Sequence, residues 1–459
     1  MYPSGRLVAV ACTLFAAGAS LAQGPPLTQP PQEGRVKLVL RQPVAGGQDQ
    51  GKKDDKKEVK DGKGEKKPIW KAWQPSGQTL TLGECLAIGQ SRQPTIEAAT
   101  ASLAAAERGY VALVGLRPVT DILSPDLPVR RLQSQRGLSA ACAEVVKVRQ
   151  ENTYDICRLY FTYVYATQQE QTAAEIVEQL DSFLEIAKEF LKLPVPDPKV
   201  KVNEFSLGEI EAVISEVRDL REEASTGRKK AMFALKEAMA VPRDFEFVPA
   251  EKELPLMGGT VDQETVVNLA LSRRPELVQA AVLVDVTRLE VCAQAKLSRR
   301  IRAHTFASGT DLHARYIPAA VRNGEYRPGA IAPEMPTEIV GSKDDRVDRM
   351  TQHLRVHEAA YAKVTGLIQL EAINAFLNWE QAMRKVKDSQ EAHKKAQDLV
   401  EKARLAAQTR MDPELLVRTE SLASKAQARY VKAVQEQVLA LIALEKVTAG
   451  GVVPAFDKR

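Results

Sequence analysis

Apolar positions after residue 80 recur at helical spacing, in stretches too long for an ordinary globular domain. Residues 138–193 contain neither glycine nor proline, and the same holds for 276–308, 367–412 and 414–449. Within them Ile176, Leu180, Phe183, Ala187 and Phe190 step by 4, 3, 4 and 3. Leu415, Leu422, Ala426, Tyr430, Val434, Val438 and Leu441 hold a second stripe. Such steps keep one face of a helix apolar over many turns, which is the pattern of coiled-coil packing. Helices of 45–55 residues reach roughly 70–80 Å. The aromatic run 159–165 alternates like a strand, but its place in a proline-free segment predicts a helix stripe, facing either lipid headgroups or the bundle.

The pattern is written twice. LTLGECLAIGQSRQPTIEAA at 80–99 aligns without a gap on VDQETVVNLALSRRPELVQA at 261–280. Ser91, Arg92, Pro94 and Ala99 fall on Ser272, Arg273, Pro275 and Ala280. Proline fits the first turn of a helix, where its missing N–H costs nothing, so Pro94 and Pro275 predict a bend and a restart. Each half then predicts a helix to about 116 or 300, an irregular stretch (117–137 or 301–345), a long helix, a turn near 194–208 or 409–413, and a returning helix to 241 or 449. The halves close alike, FALKEAMAVP against IALEKVTAGG. These features predict a mainly α fold of duplicated, long antiparallel helical hairpins. The first repeat covers 79–242 and the second 261–450, joined by a linker at 243–260 and followed by a tail at 451–459.

Ahead of the repeats, Arg6 precedes the apolar run LVAVACTLFAAGA, and Ser20-Leu21-Ala22 supplies small residues for cleavage. Residues 1–22 therefore read as a signal peptide and imply export. Ala9-Val10-Ala11-Cys12 is a loose match to a lipidation box and leaves lipidation open. Residues 23–78 are a Pro/Gln- and Lys-rich linker. Its stretch KKDDKKEVKDGKGEKK mixes eight lysines with five acids and predicts a solvated, disordered tether. No later segment has 18 uninterrupted apolar residues, so no transmembrane helix is expected.

Composition narrows the chemistry. Aromatic residues are 5% of the 459, and the net charge of +5 points to no nucleic-acid partner. There is no P-loop, no G-x-S-x-G and no dinucleotide fingerprint, so neither an enzyme nor a cofactor is expected. His353 and His357, four apart on one helix face, are a candidate metal pair; the bland alternative is a solvated face. Cys85, Cys142, Cys157 and Cys292 lie on helical segments with no disulfide-scaffold spacing, which predicts buried free thiols.

The two openings and the closing helix RYVKAVQEQVLALIALEKVTAG resemble the TolC family of outer-membrane efflux proteins. The similarity of pattern spans roughly 79–450. It implies a homotrimer whose helical hairpins form a coiled-coil-like α-barrel across the periplasm. The stretches between paired helices would give strands to a barrel in outer-membrane lipid. The family's partners are a periplasmic adaptor (membrane fusion protein) and an inner-membrane transporter, in a tripartite efflux pump or type I secretion system. The implied periplasmic tips contain Pro196, Asp197, Leu207 and Gly208 in the first repeat, and Arg410, Met411 and Asp412 in the second. Glu209 and Glu414 take the acidic position of the family's return helix, where three-fold assembly would make rings of charge at a constriction. The strand segments are the thinnest part of the match. RPVTDILSPDLPVRRLQSQRG carries three prolines and no alternation, and a barrel hairpin needs upwards of ~22 residues. Either the membrane region is small and reduced, or the chain is a periplasmic coiled-coil scaffold without a pore.

Overall fold

A computed structural model describes residues 78–192, 204–298, 303–306, 335–336, 338–409 and 413–452. The signal-peptide and tether readings fall outside them. The first half runs β1 (Gln78–Leu80), α1 (Leu82–Arg92), α2 (Pro94–Val114), α3 (Val119–Leu123), α4 (Leu127–Leu191) and α5 (Glu204–Ala238). After β2 (Phe247–Pro249), the second half runs α6 (Gln263–Arg273), α7 (Pro275–Lys296), β3 (Ala303–His304), β4 (Glu338–Ile339), α8 (Lys343–Thr409) and α9 (Pro413–Val447). The duplication is therefore structural: helix, proline, helix, very long helix, return helix, twice over.

Local chemistry explains each opening. Thr81 caps α1 with a full capping box: its hydroxyl accepts from Glu84 N, and the Glu84 carboxylate accepts from Thr81 N. Asp262 caps α6 by accepting from Thr265 N. Pro94 and Pro275 are the first residues of α2 and α7, and Gln93 and Arg274 before them are extended, as the residue before a proline prefers. Both returning helices also close alike. Ala240 and Ala449, aligned in the repeat, sit at φ 51°, and Val241 N and Gly450 N reach back to the Lys236 and Glu445 carbonyls.

The two largest cores each form around an opening helix, and the first also takes in Val386, Val434 and Val438 of the second half. In the first, Leu82, Cys85 and Leu86 of α1 pack with Tyr160, Phe161 and Val164 of α4 and Leu235 and Met239 at the end of α5. The aromatic run is thus a helix stripe within the bundle. α1 approaches α4 closely: a Cβ on Gly89 would lie 2.3 Å from Ile156 Cδ1. Tyr160 Oη donates to Leu80 O and accepts from Ala250 N, locking β1 and the parallel strand β2 onto α4. In the second half, Val266 and Ala270 of α6 pack with Ile368, Ala372 and Trp379 of α8 and Leu444 of α9.

Residues 117–137 are mostly helix and not the irregular stretch expected; α3 and the start of α4 take all but 117–118 and 124–126. Pro118 is the N-cap of α3, and Pro128 lies in the first turn of α4, positions where proline starts helices. Only residues 115–126 separate the bulk of α2 from α4, too few for two membrane strands. In the second half β3 and β4 pair antiparallel over two residues each. The sequence AHTFASGTDLHARYI reads as a strand with Phe306, Leu312, Ala314 and Tyr316 on one face, and beyond Phe306 it lies outside the described residues.

A buried ion cluster secures the second bend. Arg274 is 5% exposed and holds Glu276 through two bonds, Nε–Oε2 at 2.8 Å and Nη2–Oε1 at 3.0 Å. Glu371 of α8 comes within 3.0 Å of the same guanidinium but without good hydrogen-bond geometry. Burial alone would raise the Glu276 carboxyl, but the charge and hydrogen bonds of Arg274 hold it below the usual range. Burial does raise Glu371, because its share of Arg274 compensates only partly. Glu276→Gln should destabilise the fold by about 2–3 kcal/mol, since it leaves a buried charge poorly paired. A depressed carboxylate adds stability above its unfolded pKa and loses it as pH falls. In denaturant titrations the gap between wild type and variant should therefore shrink on acidification through the folded-state pKa of Glu276. At the helix ends, Ala240→Gly and Ala449→Gly should each raise stability by about 1 kcal/mol in the same assay, because glycine takes a left-handed conformation without strain.

Candidate functional site: the two ends of the helical bundle

At one end the long helices turn back. The first hairpin, α4 with α5, keeps a small apolar core near its tip. Leu180, Ala187, Ile210 and Ile214 are buried, with Ile176, Leu184 and Leu207 packed against them. Leu207 is thus a packing residue, and Gly208 beside it is exposed with open space where a side chain would stand. Along the flanks Lys188 pairs with Glu211 at 2.9 Å, Arg218 with Asp181 at 3.0 Å and Arg228 with Glu170 at 2.6 Å. In the second hairpin Arg404 meets Glu420 at 2.6 Å and Lys385 meets Glu436 at 2.8 Å. Exposed pairs of this kind contribute at most ~1 kcal/mol each; they favour one register between α4 and α5 and between α8 and α9. Lys425, 3.7 Å from Glu216, links one hairpin to the other.

Pro196 and Asp197 of the first tip, and Arg410, Met411 and Asp412 of the second, lie outside the described residues. Glu414 falls in the first turn of α9, where the helix dipole favours an acid. Glu209 falls in the second turn of α5, because that helix already begins at Glu204. The dipole argument therefore applies to the second acid more than to the first.

At the other end, a buried polar network joins the halves. Arg130 of α4 pairs with Glu290 of α7, and Gln133 Nε2 donates to the same carboxylate at 2.8 Å and to Val286 O at 3.0 Å. Gln294 donates to the other Glu290 oxygen at 2.7 Å and accepts from Arg346 Nε at 3.3 Å. Arg346, fully buried, donates to Leu297 O and Gly341 O, while Arg130 Nη2 donates to His304 O at 2.9 Å. The network thus clamps α4, α7, α8 and the β3 strand together. Sequence periodicity gave no sign of it, since Gln133 and Arg130 lie in a stretch that reads as loop.

The histidine pair does not lie on a solvated face. His357 is 1% exposed, and its Nδ1 lies 2.7 Å from Thr287 Oγ1. His353 stands with its ring centroid 6.5 Å away. Among the described residues no three His, Cys, Asp or Glu side chains gather to hold a metal. The cysteines divide. Cys85 and Cys157 are buried free thiols, as expected, with burial pushing the Cys157 thiol up to about 12. Cys142 and Cys292 are exposed, against expectation. Both sit on helix faces that the neighbouring helices leave open.

No protein-family model matches this sequence, and no curated protein sequence matches it. Solved structures do. The Neisseria gonorrhoeae outer-membrane channel MtrE in its open state superposes with a TM-score of 0.61 at 12% identity, covering 81% of this chain and 89% of that one. The outer-membrane channel OprN gives 0.60 at 14% identity, over 81% and 91%. VceC, an outer-membrane protein of Vibrio cholerae, gives 0.58 at 12%, over 81% and 96%. Identities this low speak for architecture, and the architecture agrees across nearly the whole length of each relative. The chain therefore has the TolC-like fold of duplicated helical hairpins found in outer-membrane channels.

Proposed function

We propose that this protein is the duct subunit of an efflux or type I secretion assembly, exported to the outer membrane and periplasm of a two-membrane bacterium. The observation that carries the reading is the shared fold: two long hairpins in tandem, matched over 81% of the chain to proteins described as outer-membrane channels. Conduction through such a duct is passive, and the side chains described above form no catalytic constellation. The reading includes a homotrimer meeting an adaptor and an inner-membrane transporter at the tips around 194–208 and 409–416. Self-association is supported by α8, where Val356, Leu370 and Leu377 are exposed at heptad spacing, an apolar seam suited to a neighbouring helix.

A second reading, a periplasmic scaffold without a pore, is favoured by one observation. The first half turns from α2 to α4 through helix, where a barrel would take two strands.

Two measurements separate these readings. The duct predicts detergent-extracted trimers that conduct ions in planar bilayers. A monomer, or a trimer silent in bilayers, would support the scaffold. If the tip acids form a constriction, Glu414→Gln should lower the cation-over-anion permeability ratio of single channels about two- to threefold. An unchanged ratio would remove the acidic ring from the model of gating.

A further inference from the structure

The corner between α2 and α4 is apolar on its outside. Ile122 is 82% exposed and Leu123 79%, with Val119 at 65% and Val111 at 63%. Val114 and Leu116 complete the set. Six large apolar side chains within Val111–Leu123 project away from the bundle, beyond what single scattered surface residues amount to.

The corner's polar groups are turned inward. The Val111 carbonyl accepts from Gly115 N, and Arg117 O accepts from both Thr120 N and its hydroxyl. Pro118 O accepts from Asp121 N, and Thr120 O from Ser124 N. Arg131 of α4 reaches back to Leu113 O at 3.0 Å and Leu116 O at 3.4 Å, and pairs with Asp121 at 3.0 Å. Helical bonds of this kind form in water as well, but Arg131 also answers two carbonyls at the end of α2 that solvent would otherwise take. A turn in hydrocarbon must have such carbonyls answered. Arg117, the corner's other ionic residue, is exposed and long enough to return its charge to a headgroup.

We propose that this corner is an interfacial lipid anchor, its apolar side chains dipping into one leaflet of a bilayer. Two observations favour lipid over another protein at this corner. It spans Val111–Leu123, whereas a stable protein contact takes roughly 20–30 residues a side. Its carbonyls are already bonded and offer a partner chain little to recognise. The corner is far too short to span a bilayer, so as an anchor it lies in the interface. The anchor deepens the reading of an envelope protein but does not depend on conduction: a duct and a pore-free scaffold would both use it.

The test is flotation of the full chain with vesicles of phosphatidylethanolamine and phosphatidylglycerol (3:1), comparing wild type, Ile122→Glu/Leu123→Glu and the remote control Leu405→Glu. Wild type and control should float. The double variant should partition on the order of a hundredfold less, with unchanged circular dichroism and unchanged oligomeric mass. Equal flotation of the double variant would overturn the anchor, as would a wild type that stays in the soluble fraction. A double variant that changes mass while still binding vesicles would make the corner a contact between copies instead. Should the acidic pair disturb folding, Ile122→Trp provides the independent readout. Brominated lipid chains should quench its added fluorescence, and lack of quenching would refute insertion.

Discussion

A helix of 65 residues must find cover along its whole length, and that requirement organises the molecule. At 1.5 Å per residue α4 and α8 each run close to ~100 Å, and no single neighbour matches them. Each is covered in relay. α4 packs first on α2 and α7, then beside α1, then against α5; α8 packs on α7 and α6, then against α9. The relay explains the proline break. A short helix that continued straight past Arg92 or Arg273 would leave the groove beside the long helix. Restarting at Pro94 or Pro275 re-aims the chain along it.

The relay was largely legible in the sequence, because it is written in features that survive divergence. Glycine-free runs, a helix–proline–helix opening and matched closing phrases all act locally. The start of α4 was not legible, for a physical reason. Three prolines and Gly137 between 117 and 137 look like breakers when read as a list. Pro118 and Pro128 instead occupy first-turn or capping positions, and Gly137 is buried within α4, where packing offsets its helix propensity. The histidines were misread from the opposite side. Spacing says that His353 and His357 share a face, but only tertiary structure says that α7 covers that face at Thr287.

Polar networks set the register that apolar stripes leave loose. Coiled-coil stripes of small residues can slide by a heptad at modest cost, and the chain has few aromatics to lock them. Arg130, Glu290, Gln133, Gln294 and Arg346 resist sliding, because a shift would leave buried charges unanswered. Arg274 with Glu276 and Glu371 does the same one level along. These residues lie at the meeting of α4, α7 and α8, where the apolar core is small: five buried hydrophobics, from Val282 to Met350. The tips differ in kind. Exposed ion pairs flank the first tip and stay hydrated, so that end is held less tightly than the buried networks.

The two halves share the order of their helices but differ between the second helix and the very long one, and that difference bears on what the fold can do. The first half closes the gap with α3 and bonds its carbonyls to itself; the second passes through β3 and β4, with residues 305–337 between them. Pairing Ala303 with Ile339 and His304 with Glu338 brings the ends of that segment together, and the Arg130 bond to His304 O ties them to the first half's corner. The described ends of that segment therefore stand beside the first half's helical turn, not beside a matching pair of strands. A barrel built by equal contributions from both halves is inconsistent with that geometry.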